Sequence, residues 1–142
     1  MSTTKTILVV DAQGGGLGRQ LIKDIKKELP EVYILAVGTN TTATAAMLKA
    51  GADQAATGEN SVVVACRKAD LIVGPIGMVI ADAMLGEITP VMARTIAQAG
   101  ARRILIPFCT CYNYIAGVND FSTGRLVADA IAQAKKILAE LN

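Results

Sequence analysis

The residues best placed to do chemistry gather in Val9-Val10-Asp11-Ala12-Gln13-Gly14-Gly15-Gly16-Leu17-Gly18-Arg19-Gln20, where four glycines fall within five positions between an apolar run and an amphipathic one. Glycine reaches positive φ without strain and has no Cβ, so main-chain N–H groups there can come close to a ligand. The start of a helix adds a partial positive charge at the same point, typically worth about 0.3–1 kcal/mol for an anion at an exposed site. That combination suits a phosphate. The loop therefore reads as a nucleotide site built by Asp11, Gln13, Gly14, Gly15, Gly16, Leu17 and Gly18. Its spacing meets the dinucleotide fingerprint G-x-G-x-x-G at Gly15 and Gly18, with Gln13 standing in place of the first glycine. The competing reading is a tight strand-to-helix turn with nothing bound.

Other candidates sit after later apolar runs. Gly38-Thr39-Asn40 falls where a dinucleotide binder places an acid on the adenosine ribose. Thr39 and Asn40 could bond a ribose or a 2′-phosphate, or serve only as helix caps. Glu59 and Asn60, then Gly74 to Gly77, follow two further strand-like segments and would line a substrate pocket together with Cys111. Glu59 is a candidate catalytic acid, its alternative being a first-turn helix acid. Cys109-x-Cys111 offers a thiol nucleophile at Cys111, whereas two thiols fall short of the four ligands of a structural zinc site, so no metal is expected.

The chain has no histidine, which removes Ser-His-Asp and Cys-His pairs, imidazole bases and His-based metal sites together. A Tyr-x-x-x-Lys pair is missing as well: Tyr33, Tyr112 and Tyr114 are followed four positions on by Val37, Ala116 and Val118. Any reaction would fall to carboxylates, thiols, lysines, tyrosines or a bound cofactor.

A chain of 142 residues fits one domain, residues 1–142, around one core. Hydrophobic residues make up 52% and aromatics 4%, so the core must be aliphatic, as in buried parallel sheets. The net charge of +2, without a basic run, argues against a nucleic-acid partner. The longest apolar stretch, Leu71 to Leu85, is interrupted by Gly74, Pro75, Gly77 and Asp82 and falls short of the roughly 20 residues of a membrane span. No signal-peptide pattern opens the chain, and three cysteines make a poor disulfide framework. A cytoplasmic protein without membrane contact is expected.

Strands and helices alternate in the elements that must position these residues. Ile7 to Val10 reads as a strand, and Leu17 to Leu29 as a helix with Leu17, Leu21, Ile25 and Leu29 on one stripe. Val32 to Val37 is a second strand, followed by an alanine-rich helix ending at Gly51. Gln54 to Ala56 is a third strand, and Val62 to Lys68 a short helix. Leu71 to Val73 is a fourth strand, Gly74 to Gly77 its exit turn, and Met78 to Leu85 an apolar helix. Thr89-Pro90 opens a helix that closes at Gly100. Ile104 to Pro107 is a fifth strand and Ile115 to Val118 a short sixth, before a last helix capped by Ser122 or Thr123. The fold class is α/β, a single doubly wound, mostly parallel sheet of five to six strands with helices on both faces. The glycine loop and the four candidate segments after it would converge on one sheet edge.

Val10 to Gly18, Gly38-Thr39-Asn40, Met47 to Ala52, Ala56 to Asn60 and Ile72 to Ile76 together resemble a family of small, uncharacterised bacterial Rossmann-like proteins, a domain of unknown function. Ala12 stands where that family suggests glycine and Cys109 where it suggests asparagine, while Cys111 fits. More distantly, Gly16 and Gly18 are similar to the T-G-x-x-x-G-x-G loop of short-chain dehydrogenases, with Asp11 and Ala12 in its first two places. The resemblance implies a Rossmann-like fold and an adenine nucleotide such as NAD(P), and no known reaction. The leading expectation is nucleotide binding. Two others compete with it: a structural or regulatory homodimer without nucleotide, its interface supplied by Met78 to Leu85 and Val91 to Ile96, and a Cys111-dependent enzyme.

Overall fold

Ile7, Leu8, Val9 and Val10 are all fully buried, because this strand has an apolar layer on each side and strand neighbours along both edges. The computed structural model describes residues 4–108, 112–119 and 122–141. The strand, β1 (Thr6–Asp11), is the middle of a five-stranded parallel sheet with β2 (Tyr33–Gly38), β3 (Gln54–Thr57), β4 (Leu71–Pro75) and β5 (Arg102–Ile106). Their order is β3-β2-β1-β4-β5. Pairing runs in register from Thr6↔Tyr33 to Asp11↔Gly38 on one side of β1 and from Ile7↔Leu71 to Val9↔Val73 on the other.

Side-chain alternation along β1 sorts the core into two layers. Ile7 and Val9 meet α1 (Gly16–Glu28), α2 (Thr41–Ala50) and α5 (Thr123–Glu140) through Leu21, Ile22, Ile25, Met47, Val127 and Ala134. Leu8 and Val10 meet α3 (Glu59–Lys68) and α4 (Pro90–Gln98) through Val62, Ala65, Met92 and Ile96. Each fully buried aliphatic side chain contributes about 1.5–3 kcal/mol relative to exposure, which is why a chain this poor in aromatics still closes a sheet on both faces. Helix starts are capped locally: Asn40 Oδ1 accepts Ala43 N–H at 2.9 Å and Thr89 Oγ1 accepts Met92 N–H at 3.1 Å.

Three expectations are corrected. Ile115 to Val118 is irregular and turn-like, with Gly117 at φ 85°, and it pairs with no strand among the described residues. Gly74 and Pro75 continue β4, opposite Leu105 and Ile106 of β5, instead of turning out of it. Met78 to Leu85 is not an α-helix: a single 3-10 turn, Ile76–Val79, gives way to tight turns in which Asp82, Met84, Leu85 and Gly86 all have positive φ. Asp82 N–H donates to the Ile88 carbonyl at 2.8 Å and Ile88 N–H to the Ala83 carbonyl at 3.3 Å, folding the segment back on itself. Burial of Met78, Ala83, Met84 and Ile88 in the second core outweighs the helical propensity of their side chains.

Met78, Met84, Met92 and Ile96 pack inside their own chain, and Leu85 is the large side chain of Met78 to Leu85 and Val91 to Ile96 left fully exposed.

Candidate functional site

β1 ends in Asp11, a buried carboxylate whose two oxygens brace the loop that follows. Oδ1 accepts Ala12 N–H at 2.8 Å and Oδ2 accepts Gly18 N–H at 2.6 Å, tying the strand end to the first turn of α1. Burial pushes the Asp11 carboxyl above its ordinary value, more than the N–H groups of Gly18 and Ala12 draw it down, and the charge of Glu87 adds to the rise. Gly15 N–H closes the turn on the Ala12 carbonyl at 3.0 Å.

Gln13 has φ 53°, the left-handed conformation that a glycine would adopt without strain. The position that departs from the dinucleotide fingerprint thus keeps the backbone shape such a glycine would allow.

The loop's glycines divide into two kinds. A Cβ on Gly15 would lie 2.8 Å from Ala43 Cα, and on Gly18 2.6 Å from Met47 Sδ, so both permit α1 and α2 to pack closely. Gly14 and Gly16 have no such need: a Cβ on either would meet nothing within 4 Å, and neither has positive φ. The main-chain N–H groups of Gly14, Gly16 and Leu17 have no acceptor among the described residues. They border a cavity of about 310 Å³ walled by the loop from Asp11 to Leu17, by Pro75 and Met84, by Phe108, and by Thr123 at the start of α5. Its walls include the ends of β1 and β4, between which the sheet order reverses, the usual ligand crevice of an open α/β sheet.

The other predicted residues fall into distinct places. Gly38 and Gly74 are packing glycines, since a Cβ would stand 2.5 Å from Thr44 N in the first and 2.5 Å from the Val10 carbonyl oxygen in the second. Pro75 lines the cavity. Thr39 and Asn40 lie beside the loop, and a carboxylate absent from the sequence-based set holds both. Glu87 Oε1 accepts the Thr39 hydroxyl at 2.6 Å, Asn40 Nδ2 at 2.9 Å and Gln13 N–H at 2.8 Å. Burial alone would push the Glu87 carboxyl up, but the donors Thr39, Gln13 and Asn40 together hold it below its ordinary value. No local signal marks Glu87, which lies 48 positions from Thr39 and comes in through the turns that replace the expected helix.

Glu59 and Asn60 do not join this cluster. Both are exposed in the first turn of α3, and Asn60 borders a separate hollow of about 220 Å³ with Leu35, Val37, Gln54 and Val64. Cys111, with its neighbour Cys109, lies outside the described residues. Cys66 is buried in the second core, and burial raises its thiol pKa, with the Arg103 charge opposing. Among the described residues, no group of three or more His, Cys, Asp or Glu side chains is placed to hold a metal, and no helix is long and apolar enough to cross a membrane.

A glycine loop leaving β1, a brace from Asp11 and a parallel sheet of this order invite comparison with known families. The family model described as "Domain of unknown function (DUF3842)" matches residues 6–139. The chain belongs to the DUF3842 family. No curated protein matches it. Among solved structures, the chain is similar to a probable oxidoreductase from Mycobacterium abscessus, with 22% identity and a TM-score of 0.49 over 99% of this chain and 42% of that one. It is also similar to a universal stress protein from Archaeoglobus fulgidus, with 17% identity and a TM-score of 0.42 over 73% of this chain and 98% of that one. The DUF3842 chain thus spans less than half the length of the oxidoreductase chain it matches. The architecture of this DUF3842 member is Rossmann-like, an α/β fold with one five-stranded parallel sheet flanked by helices.

Proposed function

We propose that the protein binds a nucleotide, NAD(P) or another adenine nucleotide, with a phosphate held on the main-chain N–H groups of Gly14, Gly16 and Leu17. What carries this reading is that Gly14 and Gly16 are glycines that packing among the described residues does not require, at N–H groups with no acceptor among those residues, on the wall of a cavity. A glycine in the first turn of a helix costs up to about 1 kcal/mol relative to alanine, and close approach by a ligand explains its presence there. The α1 dipole favours a negative group at the same point. Asp11 keeps the loop in shape from beneath, with both carboxylate oxygens turned onto N–H groups.

The test is isothermal titration of the protein with NAD, NADP, AMP and ATP. Saturable heat with at least one of them is expected, weakened by added inorganic phosphate. The absence of heat for all four at millimolar ligand would overturn the reading.

A further inference from the structure

At the end of β2 the chain has Thr39 in place of an acid, and Glu87 brings a carboxylate to that spot from the β4–α4 segment. Its Oε1 lies 2.6 Å from Thr39 Oγ1 and 2.8 Å from Gln13 N, so the charge stands one residue from the Gly14 N–H. Its Oε2 makes no hydrogen bond to a described residue, and the side chain is half-buried, so one oxygen is left to accept from a ligand. Among the described residues no Lys or Arg forms an ion pair with it. Thr39 Oγ1, having donated its proton to Glu87, retains lone pairs for a second hydroxyl.

We propose that Glu87 is the ribose-recognising group of this site, so that the protein takes nucleotides with a free 2′,3′-diol and rejects those with a 2′-phosphate. The assignment rests on the nucleotide reading above and deepens it. A carboxylate with a vacant lone pair accepts a hydroxyl proton in a charge-assisted hydrogen bond. The same carboxylate repels a phosphate dianion attached to that oxygen, and among the described residues no Lys or Arg is paired with it to offset the repulsion. Three donors from three places, the glycine loop, the β2 end and the α2 cap, hold the group in one orientation, so its selectivity is built in before the ligand arrives.

The experiment is calorimetric titration of the full chain and of Glu87→Gln with NAD, NADP, AMP and 2′-deoxy-AMP. Glu87→Gln keeps a carbonyl oxygen for the three donors, and a thermal melt checks that it folds. For the wild type, NAD binding at least about tenfold tighter than NADP and AMP about tenfold tighter than 2′-deoxy-AMP are expected, the size of one charge-assisted hydrogen bond. In Glu87→Gln the gap between NAD and NADP should shrink severalfold. Equal affinities for NAD and NADP in the wild type, or an unchanged ratio in the folded variant, overturn the role of Glu87 while leaving nucleotide binding intact. No heat from any of the four with either protein removes both.

Discussion

Gly18 N–H donates to Asp11 Oδ2 across 2.6 Å, joining the last residue of the central strand to the first turn of α1 seven positions on. The carboxylate's other oxygen holds Ala12 N–H at 2.8 Å, so a single side chain satisfies two donors that secondary structure leaves over. Asparagine has only one acceptor oxygen and would turn its amide nitrogen toward one of those N–H groups. Asp11→Asn should therefore lose about 1–3 kcal/mol, the penalty of a buried unpaired donor, and Asp11→Ala more, since both are then orphaned. Urea unfolding midpoints measure this. An unchanged midpoint in Asp11→Asn would show that the brace is dispensable.

Alanine substitution at the glycines should separate packing from ligand approach. Gly18→Ala and Gly74→Ala place a Cβ 2.6 Å from Met47 Sδ and 2.5 Å from the Val10 carbonyl oxygen, and overpacking of this kind costs about 1–3 kcal/mol. Gly74→Ala should cost more, because a backbone oxygen in the centre of a sheet cannot move aside as a methionine sulfur can. Gly14→Ala and Gly16→Ala should leave the melting temperature unchanged or slightly raised while weakening nucleotide binding by about tenfold. Melting curves and titrations of the same four variants provide the comparison.

The acid limb of stability should carry the signature of two carboxylates held below their ordinary values. Glu87 is held there by Thr39, Gln13 and Asn40 against the opposing effect of burial. Asp53 is held there first by Ile34 N–H, with burial opposing and Lys26 assisting. For each, the folded state binds fewer protons than the unfolded chain, so their contribution is present above the ordinary carboxylate pKa and is lost as pH falls through the folded value. Asp11 has the reverse sign: raised by burial, it favours folding below its ordinary value and loses that contribution as pH rises through the folded one. Urea midpoints measured across acid pH should fall less steeply in Glu87→Gln than in the wild type. Parallel curves would exclude Glu87 as a contributor.

The sequence by itself determined the alternation of strands and helices, the aliphatic core and the place of the glycine loop. Each follows from local rules: apolar spacing along β1 and α1, glycine at a strand-to-helix turn, Asn40 and Thr89 at helix starts. The same rules misread Met78 to Leu85, whose apolar composition suits a helix, and Ile115 to Val118, whose composition suits a strand. What became of them depended on which surface each could bury and which partner it could pair with, and neither is local. Only the tertiary structure separated Gly14 and Gly16, with open space beside them, from Gly15 and Gly18, which lie against α2. Only it brought Glu87 across 48 positions to Thr39, because a carboxylate finds its donors through folded space and leaves no periodic trace in the chain.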